Sequence, residues 1–250
     1  MKDGIIIQAR TGSSRLANKI LLPFDGERRI IDIIIDNIKL HNSDKTIVLA
    51  TTDNSRDDIL EQVALNAGIK CFRGSEDNVL SRFVEAAKAF GINRIVRVCS
   101  DNPFLLAESF ELMFKTHDEE GGDYVAYAFA DGRPTIKSHL GLFAELTTLD
   151  ALSRVAELTD EKMYIEHVTI YLYTHADCFD VKLMQLPNEL EGRLDMRFTL
   201  DTAQDFALLQ ELYAKYKQMP VKGIGSLLEI VNSDERYLKV MQENIMNNQK

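Results

Sequence analysis

Short apolar runs alternate with longer amphipathic segments through the first half of this chain of 250 residues. Runs rich in branched aliphatic side chains lie at residues 4–9, 46–50, 69–72 and 94–99. Segments with the apolar spacing of helices lie between them, at residues 30–40, 55–67 and 77–90. Such runs are typical of strands buried on both faces. Because helices separate them, the pattern predicts a parallel sheet covered by helices on both sides.

The pattern changes at about residue 121. Strand-like pieces and an aromatic-rich helical segment follow, at residues 123–127, 164–173 and 178–184. We therefore predict a smaller lobe, inserted into the main sheet over residues 121–195. The alternation then returns, with a predicted strand at residues 197–200, a helix at 202–217 and short C-terminal helices within 218–250. The predicted fold is one α/β domain over residues 1–250, with a mostly parallel, Rossmann-like sheet.

Charge is distributed unevenly along the chain. The whole sequence carries 29 Lys and Arg against 39 Asp and Glu, a net charge of −10. Residues 1–29 hold six basic and three acidic side chains, so this segment is positive although the chain is acidic. Overall acidity disfavours a duplex nucleic-acid binder, which usually has a basic face. A positive amino-terminal segment is instead suited to a small anion.

The same sequence predicts a cytoplasmic protein. No apolar stretch approaches the ~20 residues needed to cross a bilayer, so we expect no membrane partner. No signal peptide is recognisable, because the apolar run at residues 5–7 is too short. The three cysteines have no metal-like spacing, which favours reduced thiols.

The loop after the first predicted strand is the strongest candidate site. Ligands of open α/β sheets bind outside the carboxyl ends of the strands. Residues 12–14 are Gly-Ser-Ser, whose backbone N–H groups can hold phosphate oxygens, and Arg10, Arg15 and Lys19 add positive charge. The spacing is neither that of a P-loop nor that of a dinucleotide fingerprint. A solvated turn with ordinary surface cations is the alternative.

Two aspartates follow other predicted strands. Asp101 follows the strand at residues 94–99, and Asp201 follows the one predicted at 197–200. Carboxylates at one sheet edge could share a divalent cation such as Mg²⁺, which prefers oxygen ligands. Helix capping explains each of them equally well locally, and Asp205 suits the first turn of a helix.

Two weaker signals remain. Thr52 and Asp53 also follow a strand and could contact a sugar or a base, although a loop cap accounts for them as well. His167 lies in the aromatic segment, where a packed, hydrogen-bonded histidine is the more common situation.

Motifs along residues 4–213 together resemble the cytidylyltransferase family, which includes the acylneuraminate and 3-deoxy-manno-octulosonate enzymes. They are the segments 7–16 with Lys19, 50–53, 72–83, 100–104, 166–169 and 198–206. The likeness is to the SpsF-like branch, which is associated with spore coat polysaccharide biosynthesis. It implies a nucleotide-diphospho-sugar transferase-like fold. It also implies a Mg²⁺-dependent reaction in which a sugar oxygen attacks the α-phosphate of CTP and pyrophosphate leaves.

The resemblance also implies roles for individual residues. Catalysis falls to Arg10, Arg15, Lys19 and Asp101. Nucleotide contacts fall to Ala9, Arg10, Gly12, Ser13, Ser14, Thr52, Asp53, Arg73, Arg82 and Ser100. The metal falls to Asp101 and Asp201. The lobe is implied to receive a small acidic or phosphorylated sugar, with Glu145 and His167 as contacts, and to form a homodimer.

One departure from the family pattern leaves alternatives open. Ala17-Asn18 stand before Lys19, where the family usually has Pro-Gly. Asn tolerates a positive φ better than most residues, so the turn can be kept. A catalytically weak nucleotide-binding homologue is one alternative. A glycosyltransferase on a related fold is another, although the sequence contains no Asp-x-Asp motif.

Overall fold

The computed structural model describes residues 1–13 and 15–248. Its strands are β1 (Asp3–Gln8), β2 (Pro23–Asp25), β3 (Arg28–Arg29), β4 (Thr46–Thr52), β5 (Lys70–Gly74), β6 (Arg94–Cys99), β7 (Tyr124–Ala128), β8 (Glu145–Thr148) and β9 (Val181–Gln185). Its helices are α1 (Ile30–His41), α2 (Asp58–Ala67), α3 (Val79–Phe90), α4 (Phe110–Glu120), α5 (Leu149–Leu158), α6 (Lys162–His167), α7 (Ile170–Thr174), α8 (Ala203–Tyr216), α9 (Ile224–Asn232) and α10 (Glu235–Asn247).

A seven-stranded central sheet has the order β5-β4-β1-β6-β8-β7-β9, and β2 and β3 form a small antiparallel pair beside it. β5, β4, β1 and β6 run parallel. β8 is antiparallel to both of its neighbours, and β9 is parallel to β7. The prediction of a mostly parallel sheet is confirmed, with β8 as the reversed strand.

Helices cover both faces of this sheet because its strands are apolar on both faces. One buried cluster includes Ile5 and Ile7 of β1 and contains side chains of α1, α2, α4 and α8 to α10. The other includes Ile6 of β1 and contains side chains of α3 and α5. Successive side chains of one strand thus point to opposite helical layers. The predicted α/β class is confirmed. No helix within the described residues is long and apolar enough to span a membrane.

The segment 197–200 was predicted to be a strand, and this prediction is wrong. Its backbone donors are used by two separate loops. The Phe198 N–H donates to the His139 carbonyl at 3.0 Å, and the Leu200 N–H donates to the Asp101 carbonyl at 2.9 Å. The segment therefore connects two loops and does not pair in the sheet.

The segment 121–195, which was predicted to be a smaller lobe inserted into the main sheet, forms part of that sheet. It contributes β7, β8 and β9 to the central sheet, while α5, α6 and α7 pack beside α3 or one another. The aromatic helical segment within it is divided into α6 and α7 at Val168, a buried residue with a φ of +48°. Its role as an acceptor and dimerisation lobe stays a prediction.

Candidate active site

A lysine and two aspartates from three separate parts of the chain meet at the carboxyl edge of the sheet. Lys19 follows the loop after β1, Asp101 follows β6, and Asp201 precedes α8. The Lys19 Nζ lies 3.1 Å from Asp101 Oδ2 and 3.2 Å from Asp201 Oδ1. Burial by itself lowers the pKa of Lys19, but the two carboxylates outweigh it and raise the pKa above its ordinary value. The lysine is therefore a fixed positive charge.

Asp201 is contacted by two further cations. Arg15 Nη2 lies 2.9 Å from Oδ1, and Arg197 Nη2 lies 3.0 Å from Oδ2. Arg197 is fully buried and also forms a two-point ion pair with Asp205, at 2.7 and 2.8 Å. Burial opposes ionisation of Asp201, but Lys19 and Arg15 lower its pKa below the ordinary value. The carboxylate is thus held ionised and in a defined position.

The Asp101 and Asp201 pair fits a divalent cation. Both side chains offer carboxylate oxygens, and both converge on the single ammonium of Lys19. Within the described residues, no group of three or more His, Cys, Asp or Glu side chains could hold a metal. Two carboxylates match Mg²⁺, which is usually bound through one or two carboxylates together with substrate phosphates.

The loop after β1 is anchored at both ends. The backbone N–H and hydroxyl of Thr11 both donate to the buried Asp57, at 2.7 and 2.5 Å, and the Thr52 hydroxyl donates to the same carboxylate. The Asn18 N–H donates to the Thr11 carbonyl at 3.2 Å and closes the loop. Asn18 has a φ of +54°, in the left-handed region. It therefore adopts a conformation typical of glycine, and the turn exists without Pro-Gly.

Two cavities open beside this centre. The loop cavity has a volume of about 360 Å³ and is lined by residues that include Gln8, Arg10, Gly12, Ser13, Lys19 and Ser100. The lobe cavity has a volume of about 440 Å³ and is lined by residues that include Thr135, Lys137, Gly141, Phe143, Ile170 and Tyr173. Both cavities are lined by Arg15, Arg97, Cys99, Asp101, His167 and Asp201. We call this shared region the junction.

Some predicted site residues lie outside both cavities. Ala9 and Thr52 are buried. Arg73 donates to the carbonyls of Thr52 and Asn54, both at 3.0 Å. Asp53 lines neither cavity. Ser14 lies outside the described residues. Contacts of these residues with a nucleotide stay predictions.

Arg82, another predicted nucleotide contact, is not a surface side chain. It is fully buried, and its Nη1 donates to the Ser75 carbonyl at 2.6 Å. Burial, together with the nearby charge of Arg10, lowers the pKa of Arg82 to about 10. It lines neither cavity.

Glu145 was expected to bind a substrate, but it is 1% exposed and lines neither cavity. Its carboxylate accepts hydrogen bonds from Arg97 at 2.6 Å, Tyr124 at 2.6 Å and Thr169 at 3.0 Å. It therefore lies behind Arg97 and Thr169, which do line the lobe cavity, whereas His167 lies directly at the junction.

Sequence reasoning missed Arg97 and Arg197 as parts of this site. Arg97 interrupts an apolar run, and a charged side chain inside a buried strand indicates a buried partner. That signal was available. The indication for Arg197 was weaker, because residues 197–200 were wrongly predicted to be a strand. In a strand, the side chain of Arg197 would have had different neighbours.

Comparisons with known proteins agree with this geometry. A family model described as cytidylyltransferase matches residues 4–236. The chain is 33% identical to the spore coat polysaccharide biosynthesis protein SpsF of Bacillus subtilis, over 91% of this chain and 92% of that protein. A cytidylyltransferase structure from Leptospira borgpetersenii is 28% identical, with a TM-score of 0.80 and coverage of 97% of both chains.

A more distant likeness concerns the fold alone. The structure of CMP:2-keto-3-deoxy-manno-octonic acid synthetase complexed with CTP has a TM-score of 0.65 at 16% identity, over 86% of this chain and 99% of that one. From the family match and the 33% identical relative, the chain belongs to the cytidylyltransferase family and is a nucleotidyltransferase, as its motifs predicted.

Proposed function

We propose that this protein transfers CMP from CTP to a small acidic or phosphorylated sugar, with Mg²⁺ as cofactor, for the synthesis of a surface polysaccharide. The observation that carries the proposal is that Asp101 and Asp201, which line both cavities, converge on Lys19, which lines the loop cavity. The names of the relatives support the chemistry. One is a spore coat polysaccharide biosynthesis protein, and one neighbour in fold is a CMP-sugar-acid synthetase with bound CTP.

The loop cavity suits the triphosphate. Arg10, Arg15 and Lys19 line it, together with Gly12 and Ser13. Displacement at phosphorus is catalysed mostly by positioning and by stabilisation of charge. In the proposed reaction, a hydroxyl oxygen of the acceptor forms a bond to the α-phosphorus. The bond from that phosphorus to the bridging oxygen breaks, pyrophosphate leaves, and the hydroxyl proton passes to water.

Asp101 and Asp201 would hold the Mg²⁺. When bound, the ion supplies positive charge to the phosphate oxygens. The protein's own contribution is to keep Asp201 ionised, through Lys19, Arg15 and Arg197. The same cations keep its oxygens in one orientation.

The lobe cavity is the proposed site of the acceptor. It adjoins the loop cavity through the junction, so an acceptor hydroxyl there can approach a nucleotide phosphate. Lys137 and His167 are among its polar lining residues, beside apolar side chains such as Phe143 and Ile170. We also propose that the segment 121–195 forms a homodimer contact. Light scattering of the purified protein tests whether a dimer forms.

The decisive experiment measures pyrophosphate release with Mg²⁺, each of the four nucleoside triphosphates, and a panel of 2-keto-3-deoxy acids and sugar phosphates. We expect release with CTP and one class of acceptor, and none when Mg²⁺ is removed by a chelator. Tight CTP binding without release for any acceptor would instead favour a non-catalytic homologue. Release of free nucleoside diphosphate from a nucleotide sugar would favour a glycosyltransferase.

A further inference from the structure

Arg97 is a cation in the middle of a buried strand. Arg97 is 7% exposed, and it lies directly opposite Glu145 in the antiparallel pairing of β6 with β8. The Nη1 atom is 2.6 Å from Glu145 Oε2, and Nη2 is 3.3 Å from Gln8 Oε1. The Nε atom is buried and has no hydrogen-bond partner among the described residues. A guanidinium has five N–H donors, so these two contacts leave donors unused, and the Nε–H group is one of them.

Glu145 fixes the orientation of this arginine. Its carboxylate accepts hydrogen bonds from Tyr124 and Thr169 as well as from Arg97. Arg97 lines both cavities, whereas Glu145 lines neither. The buried ion pair therefore presents its positive end to the junction and keeps its negative end inside the protein.

Stability alone gives little reason for such a pair. Replacement of a buried ion pair by apolar side chains of similar volume is often neutral or stabilising. A pair that is buried and oriented, and whose arginine lines two cavities and keeps unused donors, is better explained by a role toward a ligand.

The junction is where the transferred group must lie, because it leaves a nucleotide in one cavity and joins an acceptor in the other. Arginine is present there twice. Arg15 is half exposed and already paired with Asp201 at 2.9 Å. Arg97 is buried and fixed by strand pairing. A fixed charge in a site that excludes water is the more effective one for a group whose charge is redistributed during reaction.

We propose that Arg97 is a catalytic residue that contacts the α-phosphoryl group during its transfer, and that Glu145 is the positioning residue that orients Arg97. This role rests on the proposed function. The bond changes are those given above: oxygen of the acceptor joins phosphorus, pyrophosphate leaves, and the proton passes to water. Arg97 stays protonated throughout and donates hydrogen bonds to a non-bridging oxygen.

The test compares R97M/E145M with wild type. The double variant replaces both charges by apolar side chains, so that neither is left buried without a partner. R94M is the matched control, because Arg94 is the other buried arginine of β6 and pairs with Asp3 at 2.7 Å, away from both cavities. E145Q keeps Arg97 but weakens its restraint.

We expect kcat of R97M/E145M to fall by about 10²–10³-fold, which is typical for removal of one charge-stabilising donor. The CTP dissociation constant, measured by calorimetry without acceptor, should stay within about threefold, because contact with the transferring group matters most during reaction. E145Q should show a smaller fall in kcat, and R94M should keep wild-type turnover.

The α-phosphorothioates of CTP separate contact from structure. If Arg97 contacts one non-bridging oxygen, the rate ratio of CTP to one diastereomer changes in R97M/E145M and stays at its wild-type value in R94M. Ratios unchanged for both diastereomers, an unchanged kcat, or a loss confined to the acceptor KM would each overturn the role of Arg97. No pyrophosphate from the wild-type protein with any acceptor overturns the proposed function itself, and the role with it.

Discussion

Replacement of the buried Arg197 by Met should destabilise the protein strongly. Arg197 is 1% exposed and Asp205 is 2% exposed. The change removes two charged hydrogen bonds to Asp205, at 2.7 and 2.8 Å, and one to Asp201 at 3.0 Å. Asp205 would keep its backbone donors from Asp201 and Thr202 but would lose its countercharge. Breaking a buried pair on one side costs about 3–5 kcal/mol.

The deficit should depend on pH. Burial tends to raise the pKa of Asp205, but Arg197 and the backbone donors outweigh it and lower the pKa below its ordinary value. Without Arg197, burial dominates and the pKa rises above the unfolded value of about 3.9. The folded variant then binds a proton that its unfolded chain does not, so its stability rises as the pH falls from 8 to 5. Wild-type Asp205 is ionised in both states over that range and contributes no such dependence.

The assay is urea unfolding followed by circular dichroism, at pH 8 and pH 5 and at one ionic strength. R193M is the matched control, because Arg193 also pairs with an aspartate, Asp195 at 2.9 Å, but both side chains are partly exposed. An exposed pair contributes about 1 kcal/mol or less. A loss in R197M no larger than that of R193M would refute the reasoning, as would a deficit that stays constant between the two pH values.

Three further predictions concern the two aspartates and the loop after β1. D101N and D201N should each abolish pyrophosphate release, while an unchanged melting temperature shows that the fold survives. D195N is the control and should keep turnover. Wild-type turnover in D101N or D201N would remove that residue from the proposed metal site. N18G should keep wild-type stability, whereas N18V should lose about 1–2 kcal/mol in urea unfolding, because a β-branched side chain strains the left-handed backbone; equal stability of the two variants would contradict this. K19M should bind Mg²⁺ more tightly than wild type in calorimetry without nucleotide, because the ammonium competes for the two carboxylates; unchanged or weaker binding would count against a shared cation position.

The parallel half of the sheet was predictable because its strands have a local signature. The runs that became β1, β4 and β6 are mostly apolar and buried, and the helices between them have the apolar spacing of amphipathic helices. The run that became β5 is shorter and partly exposed. β8 has no such signature, because its polar residues Glu145 and Thr147 are buried through partners that lie far away in the sequence. The same holds for the break at Val168, where a β-branched residue adopts a positive φ that no local pattern indicates.

The site was predictable to the extent that it follows strand ends. Lys19, Asp101 and Asp201 were expected at one edge, and the structure places both aspartates within hydrogen-bonding distance of Lys19. Their chemical roles stay predictions. The buried ion pairs next to these residues could not be predicted. The Arg197 pair with Asp205 and the Arg97 pair with Glu145 depend on tertiary contacts, in which burial is tolerated only because the partner is present.

The reversed direction of β8 has a consequence for how this protein can diversify. Because β8 runs against its neighbours, its first residue, rather than its last, faces the ligand edge. The connection that leads into it supplies Thr135, Lys137, Gly141 and Phe143 to the lobe cavity. The phosphate-side residues come from other connections, after β1 and β6. One exchangeable stretch of chain between β7 and β8 therefore holds much of the second cavity's wall, and grafting that stretch between relatives should exchange acceptor preference while the loop cavity is kept.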